Sequence, residues 1–90
     1  MRGRRVFVTG LGFVSPHGER PSEVFERLCR GESAIRLVRS GTAELGADVL
    51  LARVDFEPGN RIAKLDQVQM ARAAQMAVVA TRGALEHAGL

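Results

Sequence analysis

Few residues in this 90-residue chain carry side chains suited to covalent or acid–base chemistry. Cys29 is the single cysteine, His17 and His87 are the two histidines, and Thr9 directly precedes a pair of glycines. A thiol becomes a nucleophile when a base or cation beside it lowers its pKa. Cys29 instead stands one helical turn after Phe25, where a lone thiol behaves as a small hydrophobe. Neither histidine has a nearby Cys or Asp partner that would suggest a triad. His87 suits the negative end of a helix dipole, and Thr9 reads as a buried hydroxyl bonded to backbone. A single cysteine also excludes an internal disulfide and a cysteine-rich metal site.

The glycines themselves pose a second chemical possibility. VFVTGLGFVSPHG, residues 6–18, looks like a glycine-rich phosphate cradle. A dinucleotide fingerprint needs G-x-G-x-x-G opening directly into a helix, so that the phosphate meets the helix N-terminus. Here Ser15 stands at the third glycine position and Pro16 follows, biasing Ser15 away from helical dihedrals. The short-chain dehydrogenase spacing fails at Val14, and the Gly-Lys-Ser/Thr of a P-loop is absent. A nucleotide such as NAD(P) remains the reading from another functional class, to be weighed against a purely structural use of the glycines.

The elements that must position these residues follow from periodicity. Residues 5–8 read as a strand buried on both faces, since the run has no polar alternation. A helix is expected over 21–30, with Pro21 at its first position, Glu23 in its first turn and Gly31 as its stop. Residues 33–38 suit a short strand or an extended connection, 40–47 a small polar loop, and 49–56 a second strand leading into Pro58-Gly59. The longest element is a helix over 67–88, capped by Asp66 with Gln69 in capping-box spacing and closed by Gly89. Arg72, Gln75, Arg82 and Glu86 share one narrow polar stripe on it; the rest is Ala, Val, Met and Leu. Such a helix must be buried on more than one side. So short a chain offers too little to cover it.

Composition narrows the classes further. With 46% hydrophobic and 26% charged residues and no low-complexity tract, the chain has an ordinary globular make-up. Its four Phe residues lie in apolar contexts and no Trp or Tyr is present, which argues against a stacking platform for nucleic acid. The net charge of +3 is scattered, densest at Met1-Arg2-Gly3-Arg4-Arg5 and most simply solvated there. The basic start and apolar run imitate a secretory signal but lack a small-x-small cleavage site. No segment approaches the roughly 20 apolar residues of a membrane span. The cytoplasm is the expected location.

Four motifs, in order, resemble one family. RRVFVTGLGFVSPHG is similar to the opening R-V-V-V-T-G-x-G-x-[VL]-[ST]-P-x-G of the β-ketoacyl-acyl-carrier-protein synthases. Residues 24–28 with Gly31-Glu32-Ser33-Ala34-Ile35 resemble the family's first helix and its G-x-S-x-I exit. Val54-Asp55-Phe56-Glu57-Pro58 resembles its D-F-x-P strand end, and Ala84-Leu85-Glu86-His87-Ala88-Gly89-Leu90 its A-L-x-x-A-G-L helix end.

The resemblance implies an α/β fold: the N-terminal part of a thiolase-like α-β-α-β-α layered sandwich, usually homodimeric. Residues 1–90 would be one segment of its N-terminal domain, incomplete as a folding unit. The implied activity is an acyltransferase of fatty-acid or polyketide synthesis. It transfers an acyl group to an active-site cysteine and condenses it with the carbanion from decarboxylated malonyl-carrier protein. No catalytic, cofactor-binding or metal-binding residue of the family falls on this segment, and no cofactor is implied. The implied partner is the acidic acyl carrier protein, contacted by Arg61, Lys64 and Arg72. Leu65, Val68 and Gln69 stand where the family frequently has Lys or Arg, and Ala71 replaces a commonly acidic residue. A non-catalytic, chain-length-factor-like partner of the same fold stays open beside the enzyme.

Overall fold

The structure, a computed structural model, describes residues 3–39 and 47–90. The expected loop at 40–47 falls outside the described residues, Ala47 excepted. Helix α1 (Pro21–Cys29) begins with proline at its start and Glu23 in its first turn. It ends as foreseen at Gly31, whose φ of +69° lets the chain reverse. There the amides of Gly31 and Glu32 donate back to the Leu28 and Arg27 carbonyls, at 3.0 Å each. Strands β1 (Arg36–Val38) and β2 (Val49–Leu51) pair antiparallel, with Leu37 opposite Leu50. After them come a 3₁₀ turn (Gly59–Arg61) and two helices, α2 (Lys64–Gln69) and α3 (Arg72–His87). Gly89, at φ +80°, closes α3 with the same arrangement as Gly31.

Three expected elements are corrected. The strand expected over 49–56 is limited to Val49–Leu51, the stretch that pairs with β1. Residues 5–8 form no strand: among the described residues the only sheet is the β1–β2 pair, so this segment has no neighbour to bond to. Its side chains face outward, with Val6 90% and Phe7 73% exposed, and Thr9 is exposed too rather than buried. The helix expected over 67–88 is two helices. Met70, at φ −109° and ψ 132°, breaks the run, so Asp66 sits inside the first turn of α2 and caps nothing. The break is compensated locally. Gln75 Nε2 donates to the carbonyls of Gln67 and Met70, both at 3.2 Å, and Met70 packs against the core. Satisfying the carbonyls at a helix end removes most of the penalty of ending it.

The core is small: Phe56, Ile62 and Val79 are buried, with Val14, Val54, Met70, Met76 and Val78 packed around them. Only one face of α3 takes part. Ala73, Ala74 and Ala77 are exposed, so the burial on several sides expected of this helix is not met by the described residues. The radius of gyration is 17.1 Å, against about 12 Å for a compact domain of this length. The architecture mixes helices and strands, as expected for the broad α/β class.

Candidate functional site

The glycine turn meets α3, not open space. A Cβ built on Gly12 would lie 1.8 Å from the Ala80 carbonyl oxygen, and one on Gly10 would lie 2.3 Å from that of Ala84. The segment crosses the helix backbone to backbone, over the alanines that permit the approach. The Leu11 amide, which a phosphate would need as a donor, bonds instead to His87 Nδ1 at 3.0 Å. The space a dinucleotide's pyrophosphate would occupy is filled by helix. The loop beyond is a closed turn, Ser15 and Gly18 exchanging backbone bonds at 3.1 and 3.2 Å. Pro16 occupies the second position of that turn, where proline's fixed φ is favoured.

The three residues expected to meet a carrier lie near one another but are differently committed. Arg61, at the end of the 3₁₀ turn, donates to the carbonyls of Pro58 (3.1 Å) and Glu57 (2.6 Å) and is ion-paired with Glu19. Arg72, at the start of α3, donates to the carbonyls of Phe56 (3.2 Å) and Val54 (3.1 Å). Both guanidinium groups also lie over the Phe56 ring, at 5.7 and 5.6 Å from its centroid. Phe56 is only 2% exposed; Arg72 ties residues 54–56 to α3, while Arg61 braces residues 57–58. Lys64 is exposed in the first turn of α2, with neither hydrogen bond nor ion pair among the described residues. Of the three it alone offers an uncommitted charge.

Sequence patterning missed this use of polar side chains. Three of the four members of the polar stripe, Arg72, Gln75 and Arg82, donate to main-chain carbonyls, Arg82 to that of Arg61. Gln67 does the same toward Gly59 and Ile62, at 3.0 and 2.7 Å. A carbonyl without a partner has no signature in the sequence, so the acceptors of these donors could not be named from it. Glu19, the carboxylate that pairs with Arg61 across 42 positions, was invisible for the same reason.

Nucleophile and base do not gather. Cys29 is exposed on α1, His17 is held in the Ser15–Gly18 turn, and His87 serves the Leu11 amide. Among the described residues no group of three His, Cys, Asp or Glu could hold a metal ion, and no helix is long and apolar enough to cross a membrane.

Residues 3–90 match the sequence model of the family described as Beta-ketoacyl synthase, N-terminal domain. The chain belongs to that family. It is similar to a putative polyketide beta-ketoacyl synthase 2 of Streptomyces halstedii, 35% identical over 88 residues, 97% of this chain and 21% of that protein. The tetracenomycin polyketide synthase ketoacyl synthase alpha subunit of Streptomyces glaucescens is 31% identical over the same shares. A 3-oxoacyl-[acyl-carrier-protein] synthase 2 of Coxiella burnetii is 37% identical over 59 residues, 64% of this chain and 14% of that protein. The chain thus spans about a fifth of the first two relatives. No solved structure matches it. Within a ketoacyl-synthase N-terminal domain, the glycine turn is a packing device, and the nucleotide-binding alternative has no place.

Proposed function

We propose that the full-length protein is a 3-oxoacyl-[acyl-carrier-protein] synthase, an acyltransferase of fatty-acid or polyketide synthesis. Its nucleophilic cysteine lies outside these 90 residues. That thiolate attacks the thioester carbonyl of an acyl carrier protein and expels the carrier thiolate, leaving an acyl-enzyme. Malonyl-carrier protein then loses CO₂, and its carbanion attacks the acyl-enzyme carbonyl and releases the cysteine, giving a chain two carbons longer. The observation carrying this reading is the family match along residues 3–90. The Gly10–Gly12 contact with α3 supports it by giving the opening motif a structural role.

In this reading the chain is one segment of a layered α-β-α-β-α sandwich, and its uncovered apolar surfaces are interior ones. Leu50, Leu65, Val68 and Phe25 are exposed at 68–84% alongside Val6 and Phe7, more apolar surface than a finished monomer leaves in contact with water. The working protein is a cytoplasmic homodimer that receives acyl carrier protein, with Lys64 as the freest contact and Arg61 and Arg72 beside it.

The test is to incubate the full-length protein with an acyl-carrier and malonyl-carrier protein, follow release of the 3-oxoacyl product, and map the acylated residue by mass spectrometry. Product formation with acylation at a cysteine other than Cys29 is expected. Absence of both product and acyl-enzyme would overturn the catalytic assignment in favour of a non-catalytic partner of the same fold.

A further inference from the structure

A cleft of about 280 Å³ opens between the Pro16-His17 turn, α1 and the β1–β2 pair. His17, Arg27, Arg36 and Arg53 line it, and Asp55 is the one carboxylate among its lining residues. Three guanidinium groups from three separate stretches of chain gather there round a single carboxylate, an arrangement that an anion, or at the exposed Arg36 and Arg53 solvent, must answer.

Their internal partners answer only part of it. Arg27 is ion-paired with Glu23 at 3.1 Å and with Glu32 at 3.9 Å, so its charge is offset. Arg36 uses Nη1 alone, donating to the carbonyls of Ser33 (2.6 Å) and Ile35 (2.9 Å). These bonds fix the guanidinium and leave Nε and Nη2 as donors. Arg53 has no hydrogen bond or ion pair among the described residues, nor does His17. The turn carrying His17 is closed by the Ser15–Gly18 bonds and by Ser15 Oγ, bonded to the Gly18 carbonyl at 2.8 Å. Set against Asp55, Arg36 and Arg53 leave the cleft a surplus of positive charge, and His17 lines the same space from a closed turn.

We propose that this cleft binds the phosphoryl group of a small phosphate ester. A planar carboxylate presents two oxygens in one plane and a single charge. A tetrahedral phosphoryl dianion presents three oxygens in three directions and up to twice the charge, so it suits donors that approach from several sides. The cleft is roomy enough for the phosphoryl group and a few atoms of its ester. The site is separate from Arg61, Lys64 and Arg72, and the proposal does not depend on the condensing reaction.

The test titrates the full-length protein with phenyl phosphate and, separately, inorganic phosphate, by calorimetry and by the shift of the His17 ring resonances. Saturable binding that moves those resonances is expected, weakening with salt. R36Q and R53Q should each weaken it by about tenfold, the loss of one charge-assisted contact. Tighter binding of phenyl phosphate assigns an ester as the source, equal binding assigns free phosphate, and either upholds phosphoryl recognition. K64Q, outside the residues that line the cleft, serves as the control, and unchanged melting of R53Q excludes misfolding. The proposal is overturned by no saturation up to about 10 mM, by unchanged affinity in the R36Q/R53Q double variant, or by acetate competing as well as phosphate.

Discussion

Gly12 crosses α3 so closely that a Cβ on it would lie 1.8 Å from the carbonyl oxygen of Ala80. The two residues are 68 positions apart, and Gly12 has no room for a side chain because the helix backbone is so near. This contact joins the opening motif of the chain to its last helix, and it explains the glycines without invoking any ligand.

Gly12→Ala and Gly10→Ala should therefore each destabilise the full-length protein by about 3 kcal/mol, because the opposing atoms are helix backbone and cannot rotate away. Gly3 is the control, since a methyl group there would meet nothing within 4 Å, and Gly3→Ala should stay within about 0.5 kcal/mol. Denaturant unfolding reads both. Equal stability of G12A and G3A would show that the segment does not lie on α3.

Arg72 should resist conservative replacement. Its two donors reach the carbonyls of Phe56 and Val54 while its plane covers the Phe56 ring. Lysine has one compact charge and cannot do all three. Arg72→Lys is expected to lose most of what Arg72→Ala loses, about 2 kcal/mol by thermal or chemical melting.

Gln75 closes the gap between α2 and α3. Gln75→Glu keeps the shape but replaces a donor with an acceptor facing the carbonyls of Gln67 and Met70. It should cost about 1–3 kcal/mol, more than Gln75→Ala. Hydrogen exchange should quicken at the end of α2 first. Uniform protection in the variant would mean the two helices do not rely on this side chain.

Lys64 separates charge from structure in the proposed carrier contact, since it bonds to nothing among the described residues. Lys64→Glu should raise KM for an acidic carrier about fivefold at low salt, the equivalent of roughly 1 kcal/mol. Folding stability and kcat should not change, and the difference should shrink as salt is added. A KM that ignores both substitution and salt would remove Lys64 from the interface.

Residues 1–90 expressed alone should melt without a cooperative transition and bind a hydrophobic dye, given Val6 at 90% and Val68 at 84% exposure. A sharp calorimetric transition of the isolated monomer would contradict the view that these surfaces are interior.

The local signals were legible in the sequence because their causes are local. Proline and Glu23 start α1, and Gly31 and Gly89 end their helices in a conformation other residues resist, so both helix ends could be named in advance. The ordered motifs likewise carried the family. What the tertiary structure decided was every relationship between distant residues. Gly10 and Gly12 face α3 and not a phosphate. The run 67–88 breaks at Met70 because core packing and Gln75 compensate the lost helix bonds. Residues 5–8 have strand composition yet no strand, because a strand exists only with a neighbour to share its hydrogen bonds. Propensity belongs to a residue and its near neighbours; pairing and close approach belong to two stretches at once, and no single stretch states its partner.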